Sequence, residues 1–176
     1  MNPVETLQQE LSLHWKKKII LKRNEFLKHS NTKDQNVYFV KVGCLRLFIE
    51  SEKEEHCIRF AYKKSLFTAL DSFINGKSTL LCIQALKQSE IYAIDKKSFM
   101  EIINKNEGNL KLWQNILENL IEQQLEREID LLTYSPEERY KRVQKRSPQL
   151  FQEVPLKYIA SYLRMTPETL SRIKKS

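Results

Sequence analysis

Glu168, Ser171 and Arg172 stand three and four residues apart in the closing stretch Thr166-Pro-Glu-Thr-Leu-Ser-Arg-Ile-Lys-Lys-Ser176. On a helix that spacing puts all three on one face. A guanidinium, a carboxylate and a hydroxyl displayed together can read base edges in a DNA major groove. Arginine is bidentate to guanine O6 and N7, a carboxylate accepts from the cytosine amine, and a hydroxyl serves either, each discriminating by about 1–3 kcal/mol. Thr166, Thr169, Lys174 and Lys175, with Arg142 and Lys145 upstream, suit phosphate oxygens, which fix position without reading sequence. The plainer reading of the same face is the solvated side of an amphipathic helix.

The elements that must hold these residues are legible nearby. Thr166 can cap a helix, Pro167 fits its first position and Glu168 suits its positive end, which predicts a helix from Pro167 onward. Pro155-Leu-Lys-Tyr-Ile-Ala-Ser-Tyr-Leu163 predicts another, with Leu156, Ile159, Ala160 and Leu163 on one side. The short turn at Arg164-Met165 and the small Ala160 between them make a helix-turn-helix, whose second helix enters the major groove. Ser135-Pro136 starts a further helix to about Arg146, and a turn at Ser147-Pro148 leads to Pro155. From Asn109 to Thr133 one long helix is expected, with Trp113, Ile116, Leu117, Leu120, Ile121, Leu125, Ile129 and Leu132 at helical steps. That stripe is either the seam of a symmetric homodimer or a core helix within one chain.

Between Ile19 and Ile94 the pattern alternates as in strands, at Asn36–Val40, Cys44–Ile49, Cys57–Tyr62, Leu80–Leu86 and Glu90–Ile94. Turn signals at Lys33-Asp34, Val42-Gly43, Ser51–Glu55 and Asn75-Gly76 separate them, which predicts a sandwich or barrel. A short amphipathic segment, about Val4 to Leu13, precedes it. The 176 residues carry a formal charge of +8. From Tyr134 onward there are ten Lys/Arg against four Asp/Glu, so most of the excess sits in the last quarter of the chain. A basic segment on a nearly neutral body points to a polyanion, nucleic acid before a membrane surface.

Other chemistries find little here. Cys44, Cys57 and Cys82 are widely spaced and form no C-x-x-C pair, so they fit buried hydrophobes, with redox sensing as the alternative. His14, His29 and His56 are isolated, and the three glycines, Gly43, Gly76 and Gly108, make no phosphate-cradling loop. Neither H-E-x-x-H nor G-x-S-x-G occurs, so an enzyme, a metal site or a resident cofactor is not expected. No apolar run is long enough to span a membrane and no signal-peptide core is present, which predicts a cytoplasmic protein without a membrane partner.

The order of these elements resembles the Crp/Fnr family of bacterial transcription regulators. Glu168-Thr169-Leu170-Ser171-Arg172 matches the family's Glu-(Thr)-x-x-Arg signature, and "LLTYSPEERY" with "IASYLRMTPETLSRIKK" looks like a branch of it. "KVGCLRLFI" and "IQALKQSEIYAI" look like its roll strands. The resemblance implies an α+β fold with an N-terminal antiparallel, jelly-roll-like β-roll sensor (1–108), a long dimerisation helix (109–133) and a DNA-binding helix-turn-helix domain (134–176). It implies Glu168, Ser171 and Arg172 as base readers of a palindromic site on double-stranded DNA.

Three departures qualify it. Thr68-Ala69 and Thr79 stand where cyclic-nucleotide members place a Gly-Glu pair and an Arg, so dependence on cAMP is not expected, although another small effector could occupy the roll. Arg164 stands where the turn often has Gly, either letting the turn adjust or reaching a phosphate. The quoted chain ends at the second helix without a β-wing, a wingless form expected to bind more salt-sensitively. A ligand- or protein-binding module with a vestigial helix-turn-helix is the alternative.

Overall fold

A computed structural model describes residues 3–52 and 54–175. Among them, β1 (Lys17–Leu21), β2 (Phe26–Lys28), β3 (Asn36–Val42), β4 (Cys44–Glu50), β5 (Glu55–Tyr62), β6 (Leu66–Phe67), β7 (Cys82–Ala85) and β8 (Ser89–Asp95) form two antiparallel sheets. Their orders are β1-β8-β3-β6 and β2-β7-β4-β5. The expected alternation sorts side chains between two environments. Leu45, Leu47, Ala61, Ile83 and Ala85 face Tyr38, Val40, Phe67, Ile91 and Ala93 in the interior of an antiparallel β-roll. Cys44, Phe48, Phe60 and Tyr62 face outward from the second sheet.

Two turn signals act differently. Gly43 sits at φ +111° between β3 and β4, and a Cβ there would lie 2.1 Å from Ser89 Oγ, so only glycine fits. Asn75-Gly76 is not a hairpin turn: Gly76, at φ 71°, is the left-handed cap of a helix, α2 (Leu70–Asn75), that alternation did not reveal.

The helices around the roll are α1 (Pro3–Leu11), α3 (Lys96–Ile103) and α4 (Glu107–Leu132). The Asp95 side chain accepts from Ser98 N to start α3, and Asn106 does the same from Asn109 N to start α4, two residues before the expected start. Leu7, Leu11, Phe73, Phe99 and Ile103 form the cluster on which α4 lies.

The stripe of α4 is therefore divided. Trp113 stands edge-on to Phe99 at 5.1 Å and to Phe73 at 6.3 Å, and Ile116 joins the same cluster. These two, expected in a dimer seam, belong to the core of the single chain, and Leu117 and Leu120 are half-buried. Beyond them Ile121, Leu125, Ile129 and Leu132 are 62, 57, 46 and 84% exposed.

After α4 come α5 (Pro136–Arg146), α6 (Pro148–Glu153), α7 (Leu156–Tyr162) and α8 (Pro167–Lys175). The Ser135 cap and Pro136 start of α5 are as the sequence indicates. Helix α6 is not: where a turn at Ser147-Pro148 is expected to lead on to Pro155, the chain forms a helix of six residues, too short to carry a period. Tyr140, Val143, Leu150, Val154, Ile159, Ala160, Leu163 and Leu170 form one core with Cys44 and Leu86 of the roll. The C-terminal helices thus pack on the outer face of the second sheet.

All three cysteines are buried. Burial pushes their thiols up, that of Cys44 to about 12, and a protonated thiol is unreactive. They serve as small hydrophobes in this fold. No helix among the described residues is long and apolar enough to cross a membrane.

Candidate nucleic-acid interface

Helix α8 begins where Thr166 Oγ1 accepts from Thr169 N at 3.2 Å. Leu170 is buried under it and Ile173 packs on the same core, which turns the opposite side outward. Glu168, Ser171, Arg172, Lys174 and Lys175 are all exposed there, with Thr166 beside them and Thr169 half-buried. The Glu168 carboxylate is held below the usual range by its own backbone N–H and by the Thr166 hydroxyl, so it is ionised at the positive end of the helix.

The turn before α8 has a Schellman geometry. Met165 N donates to Ala160 O at 3.0 Å and Arg164 N to Ser161 O at 3.1 Å, closing the last carbonyls of α7. Arg164 takes the left-handed position at φ 54°, where glycine is usual and another residue costs roughly 1–2 kcal/mol. Its surroundings fix it there: its carbonyl accepts from Arg139 Nη2 at 3.3 Å, and its guanidinium contacts His56 Nδ1 on β5. The turn does not adjust to the missing glycine.

Arg142, assigned to a phosphate from sequence, lies elsewhere. Its Nε donates to Asp130 Oδ1 at 3.1 Å and its Nη2 to Glu126 Oε2 at 3.0 Å, tying α5 to α4. Arg146 holds the same two carboxylates, and Asp130 has no exposed side-chain surface. A basic residue on an amphipathic helix reports charge but not heading, and here the buried Asp130 and the partly exposed Glu126 decide the heading. Lys145 remains exposed.

Sequence reasoning also missed Ser161. Its hydroxyl accepts from Cys57 N at 3.1 Å and donates to Glu55 O at 3.0 Å. Strand β5 is the open edge of its sheet, so one side chain of α7 satisfies two edge groups that would otherwise face solvent. Arg46 is the second unforeseen anchor. It is buried, pairs with Glu55, and lies between the rings of Phe48 at 3.8 Å and Tyr158 at 4.7 Å. Lys87–Glu153 at 2.7 Å adds a peripheral ion pair. The pair α7–α8 is thus fixed to the roll through α7, and the outward face of α8 stays clear of it.

The family model of the cyclic nucleotide-binding domain matches residues 18–106. Solved Crp/Fnr-type regulators share the fold. FixK2 from Bradyrhizobium japonicum superposes with a TM-score of 0.71 at 18% identity, over 90% of this chain and 82% of that one. A CooA mutant from Carboxydothermus hydrogenoformans gives 0.70 at 18% identity, over 90% and 74%. The catabolite activator protein of Thermus thermophilus gives 0.59 at 20% identity, over 98% and 85%. No curated protein matches the chain.

Proposed function

The chain belongs to the cyclic nucleotide-binding domain family, and on that premise we propose that it is a homodimeric DNA-binding regulator of Crp/Fnr type. One observation carries the reading: Glu168, Ser171 and Arg172 share the exposed face of α8, on a buried two-helix unit with a left-handed turn. In this reading α7 and α8 are the helix-turn-helix and residues 134–176 the DNA-binding domain. Arg172 reads guanine, Glu168 cytosine, and Ser171 either. Thr166, Thr169, Lys145, Lys174 and Lys175 hold phosphates.

The exposed row Ile121, Leu125, Ile129 and Leu132 supports the dimer. A contiguous apolar patch of this kind on a soluble protein marks a contact surface, and a two-fold axis along α4 lets it cover itself. The two α8 helices would then address half-sites about one helical turn, roughly 34 Å, apart.

The roll works without cAMP in this account. A cyclic phosphate needs a cation and the ribose hydroxyl needs an acceptor, whereas Thr68, Ala69 and Thr79 supply neither. The Thr68 hydroxyl is spent on Asn36 O at 2.8 Å, Ala69 is buried, and Thr79 is buried with its backbone bridged to Thr32. Selection from a random DNA pool with the purified chain and no added nucleotide tests the whole reading. An inverted repeat is the expected winner; a pool that stays random refutes it.

A further inference from the structure

A cleft of about 230 Å³ opens at the edge of β5, between the roll, α4 and the C-terminal helices. Arg59, Phe60, Gln124, Arg127, Arg146 and Tyr162 are among its walls. Arg127 is more than nine-tenths buried, yet it makes no hydrogen bond or ion pair among the described residues, and its Nη1 is sealed from bulk water without an acceptor. The ring of Tyr162 lies 3.8 Å from its guanidinium carbon. Arg59 also has no carboxylate partner among the described residues.

Buried donors are nearly always satisfied, and an unpaired buried guanidinium is costly, so an orphan of this kind calls for an acceptor. Charge points the same way. Arg59, Arg127, Arg142 and Arg146 surround the region, while only Glu126 and Asp130 answer them, and both acids are already engaged by Arg142 and Arg146. Two positive charges are left over. A phosphate group carries about −1.5 to −2 near neutral pH and matches the planar fork of arginine. The cleft lies below the roughly 300 Å³ of drug-sized pockets, which favours a compact anion.

We propose that this cleft is a phosphate-binding site, held by Arg59 from β5 and Arg127 from α4, with Arg146 of α5, itself held by Glu126 and Asp130, in the wall beside them. The phosphate is free or carried as a small phosphoester. None of the positions 66–86, where the family's cyclic-nucleotide cassette aligns, lines it. A bound phosphate joins the roll, the long helix and the C-terminal helices at one point, and so couples anion concentration to the placement of α8.

Isothermal titration of the full-length chain with inorganic phosphate, and separately with AMP, tests this at fixed ionic strength. One saturable site per chain is expected, weakened at least tenfold in Arg127→Met and in Arg59→Gln and unchanged in Lys105→Ala, an exposed lysine outside both the cleft and α8. Tighter binding of AMP than of phosphate identifies a phosphoester, and the reverse identifies the free ion. Absence of a saturable site for both probes overturns the proposal, leaving water as the acceptor. Unchanged affinity in a folded Arg59→Gln variant overturns it as well, by placing the anion elsewhere. Neither result bears on DNA reading by α8, whose residues the cleft does not include.

Discussion

Removing the Asp130 carboxylate should loosen the C-terminal helices from α4. Asp130 has no exposed side-chain surface, and three arginine nitrogens converge on it: Arg142 Nε at 3.1 Å, Arg146 Nη1 at 3.3 Å, and Arg146 Nη2. Deleting one partner of a fully buried pair costs about 3–5 kcal/mol, because the other charge is stranded. Here the stranded arginines are 34 and 26% exposed and keep Glu126, so water and a second carboxylate recover part of the loss. We expect Asp130→Ala to cost about 2–3 kcal/mol, just below that range. For a chain of this size that is a fall in melting temperature on the order of 5–10 °C. Urea unfolding followed by circular dichroism measures it, with Glu126→Gln as the control. Glu126 is 39% exposed, and its loss should cost under about 1 kcal/mol. A double-mutant cycle between Asp130→Ala and Arg146→Ala should show coupling of about 1 kcal/mol or more. If Asp130→Ala costs no more than Glu126→Gln, the buried acid is not what fixes α5 on α4.

Three further outcomes follow from the same geometry. Arg172→Ala should relax base preference at one position of each half-site, whereas Lys174→Ala should weaken all sequences about equally, as competition binding with point-mutated sites will show. Leu125→Glu puts a charge in the exposed row of α4 and should convert the proposed dimer to monomer in size exclusion with light scattering, while leaving the melting of the single chain nearly unchanged. Arg164→Gly relieves roughly 1–2 kcal/mol of left-handed strain against the roughly 0.5–1 kcal/mol that glycine adds to the unfolded chain. It should therefore raise stability by about 0.5–1 kcal/mol in urea titration.

The sequence revealed elements long enough to show a period. The five alternating segments became β3, β4, β5, β7 and β8, and the caps at Ser135 and Thr166 start the helices they were expected to start. Strands β2 and β6, of three and two residues, and helices α2 and α6, of six each, escaped because a period needs more residues than they have, whereas β7 showed through the longer apolar run Leu80–Leu86. Gly76 was readable as a turn residue, but hairpin turns and helix caps both demand its positive φ. The division of α4 could not be read either: Trp113 meets Phe73 and Phe99, which lie elsewhere along the chain, while Leu125 is 57% exposed. Ser161 is the extreme case, bonded to Cys57 N 104 positions away. Local sequence shows a hydroxyl on a helix and gives no sign that an open sheet edge lies opposite. Arg142 and Arg127 share this limit, since their charge is visible and their surroundings are not.

The role proposed for α8 is to read DNA sequence. Fluorescence anisotropy of the full chain, with the selected inverted repeat and with a scrambled duplex of equal length at two salt concentrations, tests it most directly. A preference of at least about 10³ for the repeat is expected at physiological salt, with both affinities falling as salt rises. Equal affinity for the two duplexes, falling together with salt, would contradict it and leave only a basic surface attracted to phosphate.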